Sequence, residues 1–575
     1  YAQRCGSCHD QAVPRIPPRS VLQHRTSGYI LKVLRSGVMK EQAAGIPAQQ
    51  RMALADWLGR KTAEPVDAAQ VPNRCGNGEP AAGNPAHAWT SWGGGVTNLR
   101  FQPAAAAGLN AATTGRLRLK WAFGVPDVTA MRAQPVVENG TVLFGGGTML
   151  YAADASTGCS RWATELPAPL RSGLAMGTVG GKKLVFFGDG GANVHAVDAV
   201  SGTPVWQTHV EKHPAAVVTG TPLFHEGRLY VPVASIEEGA AMVPGYVCCT
   251  FRGSVVALDA ATGEVLWQAY TIDQAATVAR TNKLGAHSLG PSGVGVWSTP
   301  TVDVAKKLIY VATGDNYSDP PTEGSDAVLA LAMDTGKIVW SRQFSANDAF
   351  NVSCVMPGPK NCPDAGGQDS DFGASPILLS RSGGRRILLV AQKSGAVYGI
   401  DPDQEGKPLW KAQLGKGGML GGVEWGPATD GKRLYVAISD ESFTAQGLDP
   451  AKGGGLYALS LDTGKQVWMA EPSPCDSRQP CSPAQTSAVT AIPGVVFSGA
   501  LNGHLRAFSS AEGRVLWDFD TGEAFETVNK VPAKGGSISV AGPVVAGGMV
   551  YVLSGYDTFG EAPGNVLLVF SVDGK

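Results

Sequence analysis

One pattern, Ala-x-Asp-x-x-Thr-Gly-x-x-x-Trp, recurs along most of the chain and leaves few folds open to it. Its clear copies run Ala152 to Trp162, Ala196 to Trp206, Ala257 to Trp267, Ala330 to Trp340, Ala458 to Trp468 and Ala507 to Trp517. A looser copy ends at Trp410 and a degenerate one, with Thr114-Gly115, ends at Trp121, so eight tryptophans follow one another at intervals of 41 to 73 residues. Each copy reads as a hairpin: an apolar strand, a turn whose Asp and Thr bond the backbone while Gly takes positive φ, and a strand carrying a large aromatic. Such a unit cannot bury both faces alone, so its repetition predicts an eight-bladed β-propeller with each tryptophan packed between neighbouring blades. The final stretch, Leu567 to Gly574, is a truncated copy without tryptophan and is predicted to complete the blade begun near Trp121, closing the ring. These residues set shape, and none is assigned chemistry.

Composition agrees with an all-β body. Glycine (75) and proline (38) are abundant while 43% of residues are hydrophobic, which points to many short strands and tight turns rather than disorder. With 47 basic and 48 acidic residues intermixed, no basic run can neutralise a row of phosphates, so nucleic acid is excluded as a partner. No apolar stretch approaches the roughly 20 residues that span a bilayer. The chain opens at Tyr1 without methionine, as a processed secreted chain would.

Residues 1–60 break the pattern. Tyr29 to Arg35 and Gln49 to Leu58 read as helices, with apolar positions at Tyr29, Leu31, Val33 and Leu34 and at Met52, Ala53 and Leu58. A small all-α domain is expected there, followed by an Ala/Pro/Gly/Asn-rich linker over 61–88 and the propeller over 89–575.

The ten cysteines carry more information than any other residue type. Cys5-Gly6-Ser7-Cys8-His9 has the form of a c-type haem attachment motif, in which two thiols bond the vinyl groups and the histidine is an axial ligand. A zinc site is the alternative, and it lacks a second Cys/His pair nearby. Met39, in Gly37-Val38-Met39 after the first predicted helix, is the expected sixth ligand of the haem iron; Met52 is the rival, but its place in an apolar pattern suits core packing. Cys354/Cys362 and Cys475/Cys481 are close pairs, and Cys75 and Cys159 remain to pair with each other, which suits an oxidising compartment such as the periplasm. Cys248 and Cys249 are adjacent. Neighbouring Cα atoms are about 3.8 Å apart, so a bridge between them makes a strained ring, the alternative being that each bonds elsewhere.

These features together resemble the pyrroloquinoline quinone (PQQ) alcohol dehydrogenases, eight-bladed propellers with the same tryptophan repeat and a vicinal disulfide over the quinone. The resemblance covers 89–575, and the N-terminal haem motif with Cys248-Cys249-Thr250-Phe251-Arg252-Gly253 is most similar to the polyvinyl alcohol dehydrogenase branch. The haem-attachment segment likewise resembles a class I cytochrome c. What the resemblance implies can be placed residue by residue. Cys248 and Cys249 would cover PQQ, Trp297 would stack under it, Thr219 and Arg252 would contact it, Lys393 would face its oxygens and Trp425 would line the site. Glu237 would bind calcium together with Asp315, which falls on the family's asparagine, or with Asn316 after a shift of one. The catalytic base would be Asp319, or failing that Asp326. For Lys393 and Trp425, turn lysine and strand aromatic are the plain alternatives.

The implied activity is oxidation of secondary alcohol groups, those of polyvinyl alcohol, with electrons passing from PQQ to the chain's own haem c and on to a soluble periplasmic cytochrome c. Small primary alcohols, sugars or aldehydes are alternative substrates. A non-catalytic propeller scaffold, as in outer-membrane assembly factors, is the alternative from another class; it calls for neither a haem motif nor a vicinal disulfide.

Overall fold

In the computed structural model, which describes all residues except 3, 12–15, 24–26, 36, 60–61, 77–86, 244, 282–286 and 357–360, eight antiparallel sheets, six of four strands and two of five, follow one another. Each is named here for its tryptophan. The Trp206 blade is representative: Ala175–Val179, Lys182–Gly188, Asn193–Asp198 and Pro204–His209 run from inside to outside. Leu184, Val185, Phe186 and Phe187 are all buried because both faces of an inner strand meet another blade, whereas the outermost strand has a partly buried, alternating face. The ring closes as expected: Val566–Val572 forms the third strand beside Leu117–Gly124, so the Trp121 blade joins the two ends of the repeat.

The repeat has a physical explanation in the contacts between blades. The glycine of each full repeat has positive φ, and the tryptophan of the preceding blade lies against it; a Cβ on Gly464, for example, would sit 2.4 Å from the Trp410 ring. The indole N–H then donates to a carbonyl of that next blade, as from Trp410 to Leu461 at 2.9 Å and from Trp517 across the closure to Leu117 at 3.0 Å. Apolar clusters fill the gaps between blades, such as Phe123, Phe144, Tyr151, Tyr551 and Val569 at the closing seam.

Residues 89–102, which the repeat does not cover, lie across the propeller axis. Their backbone bonds the innermost strands in turn: Trp89 to Val137, Thr90 to Met176, Val96 to Val302, Leu99 to Thr429 and Arg100 to Ala491. Arg100 is 1% exposed, and its guanidinium donates to the carbonyls of Trp92 and Val489 and to Gln134 and Thr490. Burial holds it down to about 9. This segment plugs the channel, so the space above it is a pocket rather than a through-hole.

Before the propeller come the helices Gly6–His9, Arg19–Leu22, Ser27–Arg35 and Ala48–Leu58, with Ile30, Leu34, Ala43, Ala55 and Leu58 as a small shared core. Leu54, Ala55 and Leu58 form the inward face of the last helix; Met52 and Ala53 point outward, so Met52 does not serve the core as its pattern suggested. The 61–88 segment, expected as a linker, is fastened to the Trp162 blade wherever it is described at strand level: Glu64–Pro65 pairs with Thr164 and Glu165, and Cys75 is bonded to Cys159. All four expected cysteine pairs form, including Cys248–Cys249, while Cys5 and Cys8 are free. No helix among the described residues is long and apolar enough to cross a membrane.

Candidate active site

The two faces of the ring are unequal. The Asp-Thr-Gly turns occupy one face, where third and fourth strands connect. The other face gathers the connections between second and third strands and between consecutive blades, and these are longer and chemically richer. A pocket opens among them, lined by Trp92 from the plug and by Thr219, Thr221, Trp297, Trp425 and Val540. Trp297 and Trp425 meet edge to face at 5.1 Å between ring centres.

Beside Trp297 lies a buried acidic cluster. Oxygens of Asp315, Asp369 and Asp371 come within 4.8 Å of one another, and all three residues are buried. Asp371 accepts from the Trp297 indole at 2.8 Å and from the Asp315 backbone N–H at 2.6 Å. Asp369 accepts from Lys393 Nζ through both oxygens at 2.6 Å. One Asp315 oxygen has no hydrogen-bond partner. Burial, and then the charges of Asp371 and Asp369, push the Asp315 carboxyl well above its usual range. Burial also opposes the Lys393 ammonium, but Asp369, Asp371 and their neighbours outweigh it and hold it well above its usual value. Glu238 and Glu424, raised by burial to about 7, face the same charges.

Two arginines lie behind other lining residues. Arg171 donates from Nε to the Thr219 hydroxyl at 3.2 Å, and Arg132 lies over Trp425 at 6.0 Å with its Nε buried and unpartnered. Neither guanidinium has a carboxylate partner among the described residues. Burial, then the like charge of Arg132, pulls Arg171 down to about 9. Leaving two such cations unpaired is costly unless an anion meets them.

Of the residues singled out in the sequence, Thr219, Trp297, Trp425, Lys393 and Asp315 converge here. Several others are engaged elsewhere. Glu237 is fully buried, its oxygens accepting from Tyr246 Oη and from the Thr250 and Phe251 amides, so it braces the chain just after the vicinal disulfide; its neighbour Glu238 is the one that faces the cluster. Arg252 stacks on Tyr270 and donates to the carbonyls of Ile272 and Asp273. Asn316 spends its amide on Ser292 and Thr322, pinning its own loop. Asp319 accepts from the Asp364 and Ala365 amides on an outer loop. Asp326 is fully buried behind the cluster with neither oxygen bonded, and does not line the pocket. Cys248 and Cys249 pack with Phe186, Val218, Phe251 and Tyr317 and are likewise outside the lining.

Sequence reading missed Asp369, Asp371, Glu238, Arg132 and Arg171. Asp369-Ser370-Asp371-Phe372-Gly373 carried a signal: two acids one residue apart beside a glycine, where a Cβ would lie 1.9 Å from the Trp297 ring.

In the helical region His9 is buried, with Nδ1 2.8 Å from the Pro17 carbonyl, which leaves Nε2 free to bind a metal. Met39 packs on the edge of the small helical core.

Comparison with known proteins gives a consistent picture. Residues 89–357 match the family "Glucose/ethanol/alcohol dehydrogenase, beta-propeller domain", and 452–574 match "Outer membrane protein assembly factor BamB". A polyvinylalcohol dehydrogenase from Pseudomonas sp. is 40% identical, with all of this chain and 93% of that protein covered. A second, from Sphingopyxis sp. strain 113P3, is 38% identical over all of this chain and 92% of its own length. Among solved structures, the quinohemoprotein alcohol dehydrogenase of Comamonas testosteroni superposes with a TM-score of 0.62 at 18% identity, covering 86% of this chain and 81% of that one.

Proposed function

The chain belongs to the polyvinyl alcohol dehydrogenase family of PQQ-dependent alcohol dehydrogenases, and on that footing we propose that it oxidises the secondary alcohols of polyvinyl alcohol to ketones in the periplasm, using PQQ, calcium and its own haem c. The observation that carries this reading is a pocket whose Trp297 is backed by buried carboxylates and a lysine, and whose Thr219 and Trp425 are backed by two arginines without a carboxylate partner among the described residues. That polarity suits a quinone bearing several carboxylates. When bound, PQQ polarised by calcium supplies a carbon that accepts hydride from the alcohol.

The chain's own residues divide the remaining work. Asp315 and Asp371, with Glu238 beside them, offer the hard oxygen donors that calcium requires. Arg132 and Arg171 take the quinone carboxylates, the role that resemblance alone would give Arg252. Trp297 and Trp425 provide aromatic surface and exclude water. Asp369 is the base that receives the hydroxyl proton, because its side-chain partner is a lysine ammonium that can turn to the quinone oxygens. Of the bases implied by resemblance, Asp319 spends its carboxylate on the Asp364 and Ala365 amides, and Asp326 has no hydrogen-bond partner, so neither offers that pairing.

The domain division proposed is 1–60 for the cytochrome, 61–88 for a tether and 89–575 for the quinone propeller. Free Cys5 and Cys8 and the oriented imidazole of His9 fit covalent haem, and Met39 fits the sixth position. A soluble periplasmic cytochrome c is the proposed final acceptor. The test is the visible spectrum of the protein carrying PQQ and calcium, before and after alcohol. Haem bands that turn to the reduced form only when quinone, calcium and alcohol are all present support the proposal. Haem that stays oxidised with every alcohol overturns it.

A further inference from the structure

The helical residues and the propeller meet at a built contact. Ser27, at the start of the helix Ser27–Arg35, is 7% exposed, and its hydroxyl donates to the Pro167 carbonyl of the propeller. Gly59, which ends the helix Ala48–Leu58, comes so close that a Cβ on it would lie 2.6 Å from the Ser27 nitrogen. Both helices therefore converge on one propeller loop. A few residues later the chain is fastened to the same blade: Ala63 packs against the cluster that holds Leu166, Leu170 and Leu174, and Glu64–Pro65 pairs with Thr164 and Glu165.

That loop, residues 166–171, has its other end against the candidate active site. Leu166 and Leu170 are buried, so the loop is packed rather than free, and Arg171 reaches the Thr219 hydroxyl in the pocket wall. Arg171 follows Pro167 by four positions, a path of at most about 14 Å even when fully extended. The helical module thus rests on the outer end of an element whose inner end bonds a pocket-lining residue, Thr219.

We propose that residues 166–171 form the route by which electrons leave the pocket for the helical module, and that the Ser27–Pro167 contact fixes this route. The inference rests on the quinone and haem reading above. Each alcohol oxidised leaves two electrons and two protons on the quinone. A c-type haem accepts one electron at a time, so two ferric-to-ferrous reductions follow, the two protons pass to water, and a one-electron acceptor outside the chain reoxidises the haem after each. Ser27 and Gly59 touch neither quinone nor alcohol, so they are positioning residues.

The experiment compares the holoenzyme with Ser27→Arg, which wedges a long cation into a buried contact, and with Ser27→Thr, which keeps the hydroxyl. Haem reduction after mixing with alcohol is followed by stopped-flow, and in parallel a phenazine-type dye takes electrons directly from the quinol. Hydrogen exchange over 27–35 and 166–171 reports docking without reference to turnover. In Ser27→Arg, alcohol-driven haem reduction is expected to slow by at least about tenfold, since small misplacements cost that much or more. Its exchange rises over both segments, its dye-coupled turnover stays within about twofold, the range of a neutral surface change, and Ser27→Thr behaves as the parent. Unchanged haem reduction in Ser27→Arg despite raised exchange overturns the route. So does an equal fall in both assays, which assigns the loop to quinone binding alone. Failure of the underlying reading looks different: the parent protein itself shows no haem spectrum or no alcohol-driven reduction.

Discussion

Replacing Lys393 with methionine removes the ammonium that both oxygens of Asp369 contact at 2.6 Å, and leaves a carboxylate that is 1% exposed beside Asp315 and Asp371. Methionine fills a similar volume, so the change is electrostatic more than steric. Breaking a buried ion pair by removing one partner costs about 3–5 kcal/mol. Unfolding entropy of about 2.1 cal/mol/K per residue gives about 1 kcal/mol/K for a propeller of nearly five hundred residues, so the metal-free variant should melt about 3–5 °C lower. Calcium supplies the positive charge that the lysine no longer does, and should therefore raise the melting temperature of Lys393→Met by more than that of the parent. The assay is thermal unfolding without quinone, metal-free and with saturating calcium. A metal-free variant that melts with the parent, or calcium stabilising both equally, would refute the charge balance assigned to this cluster.

Glu237→Gln and Glu238→Gln separate two neighbours with different work: the first should lower the melting temperature and leave calcium affinity unchanged, whereas the second should weaken calcium binding in a calorimetric titration with little change in metal-free stability. Arg171→Met should weaken PQQ binding by about 2–3 kcal/mol, the worth of a hydrogen bond to a charged group, or roughly 30- to 150-fold, read from quenching of tryptophan fluorescence. Gly464→Ala meets both a left-handed backbone and the Trp410 ring, and should cost about 2–4 kcal/mol in urea unfolding; Gly431→Ala, with similar φ and open space, should cost about half as much. Burial raises Glu424 to about 7 and Glu441 to about 8 from 4.5, so between those limits the folded chain holds protons that the unfolded chain has released. Metal-free stability from these groups is present below pH 4.5 and lost as pH rises to 8, and melting temperatures taken from pH 5 to 8 should fall accordingly.

The propeller was legible because its determinant is local. A tryptophan, a positive-φ glycine and an Asp/Thr turn sit within eleven residues of one another, and each copy repeats the same demand on its neighbour. The closing strand could be placed for the same reason: Leu567 to Val572 carries the apolar half of a repeat whose other half stands at Trp121. The plug over 89–102 could not be read this way, because its partners are spread around the ring. Arg100 bonds Trp92 and Gln134 on one side and Val489 and Thr490 on the other, and nothing local to Asn98-Leu99-Arg100 announces that a guanidinium will be buried.

The active site divides along the same line. Spacing from a family pattern brings Thr219, Trp297, Asp315 and Lys393 to the pocket or beside it, because the connecting strands there keep their length. It fails by one residue at Glu237, where Ile236 begins a short helical turn and a neighbouring carboxylate is captured by the Thr250 and Phe251 amides, so that Glu238 faces the cluster instead. Arg252 fails for a related reason: it follows the vicinal cysteines closely, and Tyr270 and the Ile272 and Asp273 carbonyls hold it outside the pocket. The cations behind the pocket lining are instead Arg132 and Arg171, on connections between blades that the repeat does not describe. A repeat thus predicts where a scaffold stands, while the charges proposed to hold its cofactor sit in the segments that break the repeat, and those charges become visible only when their burial leaves them without a partner.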